Sequence, residues 1–360
     1  MPRLSPRRPG PTSGLSGVLA VDKPAGPTSH DVVDAARRAL GERRIGHTGT
    51  LDPFASGLLL LCVGPATRLA EYIAGLPKSY RATARLGEST ATADPEGEVT
   101  RRSDAWRALS EPVVRRAFET HVGVRDQRPP AFSAKKVGGE RLYEKARRGE
   151  EVRAEPVPVC IHRLTVEEVD LPDVTFSLTC STGTYVRAVA RDVGDDLGVG
   201  GHLRALRRTA IGPHRVDDAL ALADLEDPGS VAEAMLSPLA ALAHLRRLEL
   251  DDAALGEVAH GRPVAAPEAA LIGPARSALP TLAEPFLGAL GQAAHLPPGA
   301  AVTASLAGTA DPGLLAPETP RGLGGDARPE PVALVRGEQL VAVALLVEGL
   351  ARPKKVFRGG

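Results

Sequence analysis

Hydrophobic and polar positions change rhythm several times along this chain of 360 residues. Val18–Val21 is a short apolar stretch that reads as a strand and is broken by Lys23-Pro24-Ala25-Gly26-Pro27. Val32, Val33, Ala36 and Leu40 then recur at helical spacing, with Ser29 as a plausible N-cap. The continuous run Leu58–Val63 predicts a buried strand, followed by a helix through Leu69 and Ile73. Tyr80–Leu86 alternates with period two and predicts a strand. Two short helices follow, with Ser103 and Ser110 as caps. Val174–Cys180 alternates again and predicts a strand, which ends at Ser181-Thr182-Gly183-Thr184-Tyr185. Val186, Val189, Ala190, Val193 and Leu197 then return to helical spacing.

Strands and helices mix here without strict βαβ alternation. That predicts an α+β fold whose sheet is mixed, largely antiparallel and flanked by helices. The expected layout is a disordered tail over 1–16, a main domain over 17–244 and a small β-rich unit over 245–360. In that last unit a strand at Leu248–Leu250 and a helix at Asp252–His260 precede an Ala/Pro/Gly-rich insertion over 265–330. Pro331–Val335 and Leu340–Val347 then read as a hairpin turning at Gly337-Glu338.

Composition narrows the function classes. The chain is 43% hydrophobic but only 3% aromatic, so its core must be built from Leu, Val and Ala. Net charge is zero, which by itself argues against a nucleic-acid binder. The zero hides local structure, because Arg-rich stretches lie at Arg37–Arg44, Arg125–Arg148 and Arg204–Arg215. Segment 121–150 also interleaves Phe132 and Tyr143 with its Arg and Lys residues. That pattern suits phosphate contact and base stacking, and reads as a basic loop carrying a short helix. Solvated helix faces remain the plainer reading of any one cluster. Cys62, Cys160 and Cys180 form no CxxC pair, which leaves a zinc or thioredoxin-like motif unsupported and suggests buried thiols in a reducing cytoplasm. No apolar run approaches the ~18 residues of a membrane span.

Gly46-His47-Thr48-Gly49-Thr50-Leu51-Asp52-Pro53 carries the densest candidate chemistry. A carboxylate and an imidazole stand five residues apart in a glycine-interrupted turn that feeds the Leu58–Val63 run. Asp before Pro is also a good N-cap and N1 pair, so Asp52 has two readings, nucleophile or helix cap.

The full string GHTGTLDPFASGLLLLCVGPATRL resembles the signature of the TruB family of pseudouridine synthases. The agreement continues through Lys78–Gly87, Thr92-Ala93-Asp94, Pro130–Lys136, Arg141–Arg147, Gly183–Arg187 and Leu206-Arg207-Arg208. It covers about Val18 to Ala219, and more weakly the C-terminal unit, which resembles a small PUA-like RNA-binding domain. The resemblance implies an isomerase that turns uridine 55 in the T arm of tRNA into pseudouridine. It puts Asp52 in the role of nucleophile and His47 in the hole left by the flipped base. Tyr80 would stack on that base, Tyr185 would border the site, and Leu206 would wall the uracil pocket. Arg187 would hold Asp52 ionised and oriented. Taken alone, each of these has a plainer reading: a core aromatic for Tyr80, a surface or phosphate-contacting charge for Arg187, a core residue for Leu206. Segment 121–150 resembles the family's RNA-clamping insertion. No metal or organic cofactor, no membrane and no obligate protein partner is implied, and the expected state is a cytoplasmic monomer. An RNA-folding protein with secondary catalysis and a guide-RNA-dependent synthase are the alternatives. Ile161-His162-Arg163-Leu164-Thr165 resembles the HRLD motif of another synthase family, but Thr165 stands where that motif needs its carboxylate.

Overall fold

The computed structural model describes residues 14–130, 136–137, 140–141, 155–274 and 329–357. Among them, eleven strands form one mixed sheet. Its main path begins at Leu220–Ala221 and passes through β1 (Gly17–Lys23) and β3 (Ser56–Val63). It continues through β12 (Gly201–Ile211), β4 (Lys78–Leu86), β11 (Asp173–Cys180) and β10 (Val157–Asp170) to β7 (Gly123–Gln127). A short strand β2 (Ile45–His47) pairs antiparallel with β3, setting His47 opposite Leu61. Most pairings are antiparallel; β3 with β12 is parallel, through Arg207↔Ser56 and Arg208↔Gly57.

The two rhythms of the sequence map onto two halves of this sheet. β1 and β3 are buried on both faces, which is why β3 needs an unbroken apolar run. Leu59, Leu61 and Val63 enter a core with α1 (Ser29–Leu40), while Leu58, Leu60 and Cys62 enter a second core. Each of these fully buried leucines contributes roughly 2 kcal/mol. β4 and β11 bury one face only. Ala82, Ala84 and Leu86 with Val174, Phe176 and Leu178 pack against α3 (Glu111–Glu119) and α4 (Val186–Asp196). On the opposite face Ser79 meets Thr179 at 2.9 Å and Thr83 meets Thr175 at 3.3 Å.

Three local expectations are corrected. The cap of α1 is Thr28, in a capping box with Asp31, and Ser29 is the first helical residue with its hydroxyl turned inward. No helix follows Asp52-Pro53; the turn closes with Ala55 N donating to Asp52 O at 3.1 Å and runs into β3. Segment 121–150 begins as a strand, because Gly123–Gln127 pairs with Val157–Ile161. Further along it, Lys136–Val137 pairs with Glu140–Arg141 in a small ladder. The proposed short helix, Phe132 and Tyr143 lie outside the described residues.

A second, six-stranded sheet occupies the C-terminal part. The hairpin Glu330–Arg336 and Gln339–Val347 forms as expected, and Leu350–Val356 adds a strand. Val264–Ala265 and Leu271–Ile272 also belong to this sheet, so the described part of the expected 265–330 insertion is ordered into it up to Ile272. Ala333, Val335 and Val343 share one core with Leu58 and Leu60 of the first sheet and with Leu242. Arg68 Nη1 donates to Val356 O at 2.8 Å across the same junction. No helix among the described residues is long and apolar enough to cross a membrane.

Candidate active site

The turn between β2 and β3 is held in place mostly by residues outside it. Ser29 Oγ donates to Leu51 O at 3.0 Å and accepts from Leu51 N at 2.8 Å. Lys23, fully buried, donates to Pro24 O, Pro27 O and Pro53 O at 2.9, 2.7 and 3.3 Å. Gly26 N reaches the same Pro53 oxygen at 2.8 Å. Thr48 N donates to Leu60 O at 3.1 Å, and Leu51 and Ala55 sink into the core beneath. Lys23 thus bonds the residue after Asp52 from outside the turn.

Asp52 projects from this turn with its side chain about a third exposed (34%). Its Oδ2 accepts from Arg187 Nε at 2.9 Å and its Oδ1 from Nη2 at 3.4 Å, a two-pronged pairing. Arg187 is buried, 5% exposed, in the first turn of α4. Its Nη1 donates to Asp94 Oδ2 at 2.9 Å and to Thr92 O at 3.0 Å. A cation at a helix N-terminus opposes the helix dipole, and the two carboxylates offset that. Asp94 is fixed in turn by Thr92 Oγ1 and by Glu96 N. Ala93 between them takes φ 58°, a backbone state unusual for a residue with a side chain. Burial pushes the Asp52 carboxyl above its ordinary range; Arg187 opposes this, Asp94 reinforces it and Lys23 opposes it.

The other sequence-predicted residues gather around the same turn. Tyr80 on β4 is buried beside Leu51 and Leu206 in one core. Burial pushes its phenol up to about 12, against the pull of Arg208, with Cys180 and Asp52 acting on it as well. Leu206 sits opposite Ala82 on β12. His47 is half-buried at the end of β2, and its Nδ1 accepts from Gly49 N at 3.3 Å. Burial first, then the charges of Arg208 and His30, hold its imidazole toward the neutral form. Tyr185 caps α4, two residues before Arg187.

Three contributors escaped the list drawn from sequence. Asp94 stands in a quoted motif without an assigned role. Gln127, 1% exposed, grips Tyr185 by both backbone groups: Oε1 accepts from Tyr185 N at 2.8 Å and Nε2 donates to Tyr185 O at 3.1 Å. Arg208, 1% exposed, donates to Leu58 O, Thr50 O and Gly49 O. A polar residue in the strand expected to be a loop was the one signal for Gln127. For Arg208 the signal was its place beside Leu206 in a resembling motif.

The site's composition of a carboxylate, its arginine and a buried tyrosine has a clear match among known sequences. Residues 37–186 match the family described as TruB family pseudouridylate synthase (N terminal domain), and residues 187–243 match the tRNA pseudouridylate synthase B C-terminal domain. The chain belongs to the TruB family of pseudouridylate synthases. The two matches meet between Val186 and Arg187, inside α4, so both are needed to complete the sheet and the site. The tRNA pseudouridine synthase B of Arthrobacter sp. (strain FB24) is 48% identical over 258 residues, 70% of this chain and 83% of that protein. That of Thermobifida fusca (strain YX) is 48% identical over 68% of this chain and 85% of the relative. Among solved structures, a Cbf5-Nop10-Gar1 complex superposes with a TM-score of 0.64 at 24% identity, covering 95% of this chain and 85% of the other. At that identity the likeness speaks for the fold, a pseudouridine synthase sheet followed by a β-rich C-terminal unit. Family membership makes this chain an isomerase.

Proposed function

We propose that this chain converts uridine 55 in the T arm of tRNA into pseudouridine, with Asp52 as the nucleophile. The observation that carries the reading is the disposition of one ion pair. The Asp52 side chain is 34% exposed at a fastened turn, while its Arg187 partner is 6% exposed behind it. A carboxylate presented outward and oriented from behind suits attack on a substrate brought to the surface. The relatives named tRNA pseudouridine synthase B supply the substrate class.

The uridine must leave its stack to reach Asp52. His47, half-buried next to the turn and held by burial toward its neutral form, would fill the space it vacates. Tyr80 and Leu206 would form the floor and wall of the uracil pocket, and Tyr185 its far side. Asp52 bonds to the nucleotide as the N1–C1′ bond breaks, the base turns, and C5 bonds to C1′ as the bond to Asp52 breaks and frees its carboxylate. C5 then loses its proton and N1 gains one, so atoms balance without an electron donor or acceptor. Segment 121–150 would clamp the RNA, and the PUA-like C-terminal unit over 245–360 would meet the acceptor end. The reading is of a monomer in the cytoplasm that needs neither a guide RNA nor a protein partner.

Incubation of the pure protein with an unmodified tRNA transcript, followed by mapping of pseudouridine, tests this. Product at position 55 is expected from the wild type, with turnover reduced at least ~10⁴-fold in Asp52→Asn while tRNA affinity is kept. Full activity in that variant would sink the role of Asp52. Activity only after adding a guide RNA or another protein would favour the ribonucleoprotein type.

A further inference from the structure

We infer that Arg208 is a positioning residue for the proposed reaction: its guanidinium is the clasp that sets the backbone of the Asp52 turn. The inference deepens the reading just given, since Asp52 is the group being positioned.

The side chain is 1% exposed, and it bonds the Tyr80 phenol and three backbone oxygens. Nε donates to Leu58 O at 2.7 Å, Nη1 to Thr50 O at 3.3 Å and Nη2 to Gly49 O at 3.0 Å. Gly49 and Thr50 lie before Asp52 and Leu58 lies after it. One planar group therefore spans the turn from entry to exit. Burying a cation among neutral acceptors is costly unless its donors are well used, so the arrangement requires the acceptors to stay where they are.

The backbone of Arg208 carries the same constraint. It is the last residue of β12 to pair with β3, opposite Gly57. Gly57 takes φ 106°, and a Cβ there would stand 2.2 Å from Arg208 O and 2.6 Å from Arg208 N. The two strands thus approach so closely that only glycine fits, and the guanidinium then folds over to Leu58, the next residue of β3. Backbone and side chain together fix where the turn ends and the strand begins. Arg208 also acts electrostatically on Tyr80 and His47, the residues on either side of the proposed pocket. It does not touch the Asp52 carboxylate, whose recorded partner is Arg187.

Lysine separates shape from charge. It keeps the cation but has one nitrogen in place of three divergent ones, so it cannot reach carbonyls on both sides of the turn. In Arg208→Lys, turnover is expected to fall about 100-fold, the effect of a displacement near 1 Å at a reacting group. The dissociation constant for tRNA should stay within about threefold. Amide exchange over residues 47–55 should rise at least tenfold, with β4 and β11 unchanged. Turnover within threefold of wild type and unaltered exchange would overturn the inference, leaving only a buried charge. So would a loss of tRNA affinity as large as the loss of turnover. One arm needs neither activity nor a folded variant. In the wild-type protein, ¹⁵N NMR should show the Arg208 Nη groups as separate, slowly exchanging signals coupled to carbonyl carbons of the turn. Free rotation of the guanidinium refutes the clasp. If the wild type made no pseudouridine at all, the functional reading would fall, while exchange and NMR would still decide the role of Arg208.

Discussion

Two turns are linked through Arg187, and they are held in opposite ways. The Asp52 turn is bound by Ser29, Lys23 and Arg208, two of them buried cations, and its carbonyls at Gly49, Thr50, Leu51 and Pro53 all accept bonds from side chains. The Tyr185 turn, residues 181–185, is bound by neutral groups. Ser181 exchanges bonds with Cys160 at 2.8 and 3.0 Å and meets Thr184 at 3.0 Å, and one amide, that of Gln127, holds Tyr185. The first turn carries the proposed nucleophile and is secured redundantly. The second carries a proposed wall and the start of the helix that bears Arg187, and among the described residues one side chain, that of Gln127, holds Tyr185. A reacting group tolerates little misplacement, whereas a wall must admit and release a flipped nucleotide.

After Asp52 itself, the largest effect should come from a side chain that joins the two turns. Arg187 belongs to the Tyr185 side and bonds Asp52 on the other. Arg187→Gln removes both prongs and leaves Asp94, 3% exposed, without that cation. Turnover is expected to drop roughly 10²–10³-fold. The pH profile gives an independent sign. Burial already raises Asp52, and Arg187 is the group that opposes this most. Without it the carboxyl holds its proton to higher pH, so the acid limb of the rate profile should move to higher pH in the variant. A limb that stays put or moves down would show that the pair does not set the ionisation of Asp52, and would break the link between the two turns.

Gln127→Ala tests the weaker side. It removes both bonds to Tyr185 from a side chain that is 1% exposed, at a cost of about 1–3 kcal/mol. Turnover should fall about tenfold, and exchange should rise at Tyr185 and the first turn of α4 but not over 47–55. Equal loosening of both turns would mean that they form one unit, and the contrast drawn above would fail.

Much of the scaffold was legible because it obeys the period of its own strands. The run Leu58–Val63 is buried on both faces and the alternations at Tyr80–Leu86 and Val174–Cys180 on one, as their patterns require. Asp52 beside Pro53 carries the local signature of a cap, and only the surrounding motifs argue otherwise; the structure adds that no helix begins there. Ser29 carries that signature too, but its hydroxyl goes to Leu51, 22 residues away, and Thr28 does the capping. Arg208 and Gln127 were illegible for a common reason. The bonds by which they hold the two turns go to backbone groups, which every residue possesses, so no pattern of side chains announces them. The ladder that sets Arg208 opposite Gly57 joins residues about 150 apart, and such register is a property of the sheet.

Ser29→Ala should have the smallest effect on rate, and for that reason it probes redundancy most directly. The substitution keeps a good helix former at the first position of α1 and leaves the Thr28 capping box intact. It removes both bonds to Leu51, whose N–H and carbonyl are then left without that partner in a buried position. Thermal unfolding should report a loss of about 1–3 kcal/mol. Turnover should nevertheless stay within about threefold, because Arg208 still spans the turn and Lys23 still holds Pro53. A fall in turnover as deep as that expected for Arg208→Lys would show the bonds around Asp52 to be a chain in which every link is needed. Stability lost with rate retained would show them to be parallel supports, with geometry at the carboxylate set by the clasp and the hydroxyl serving the fold.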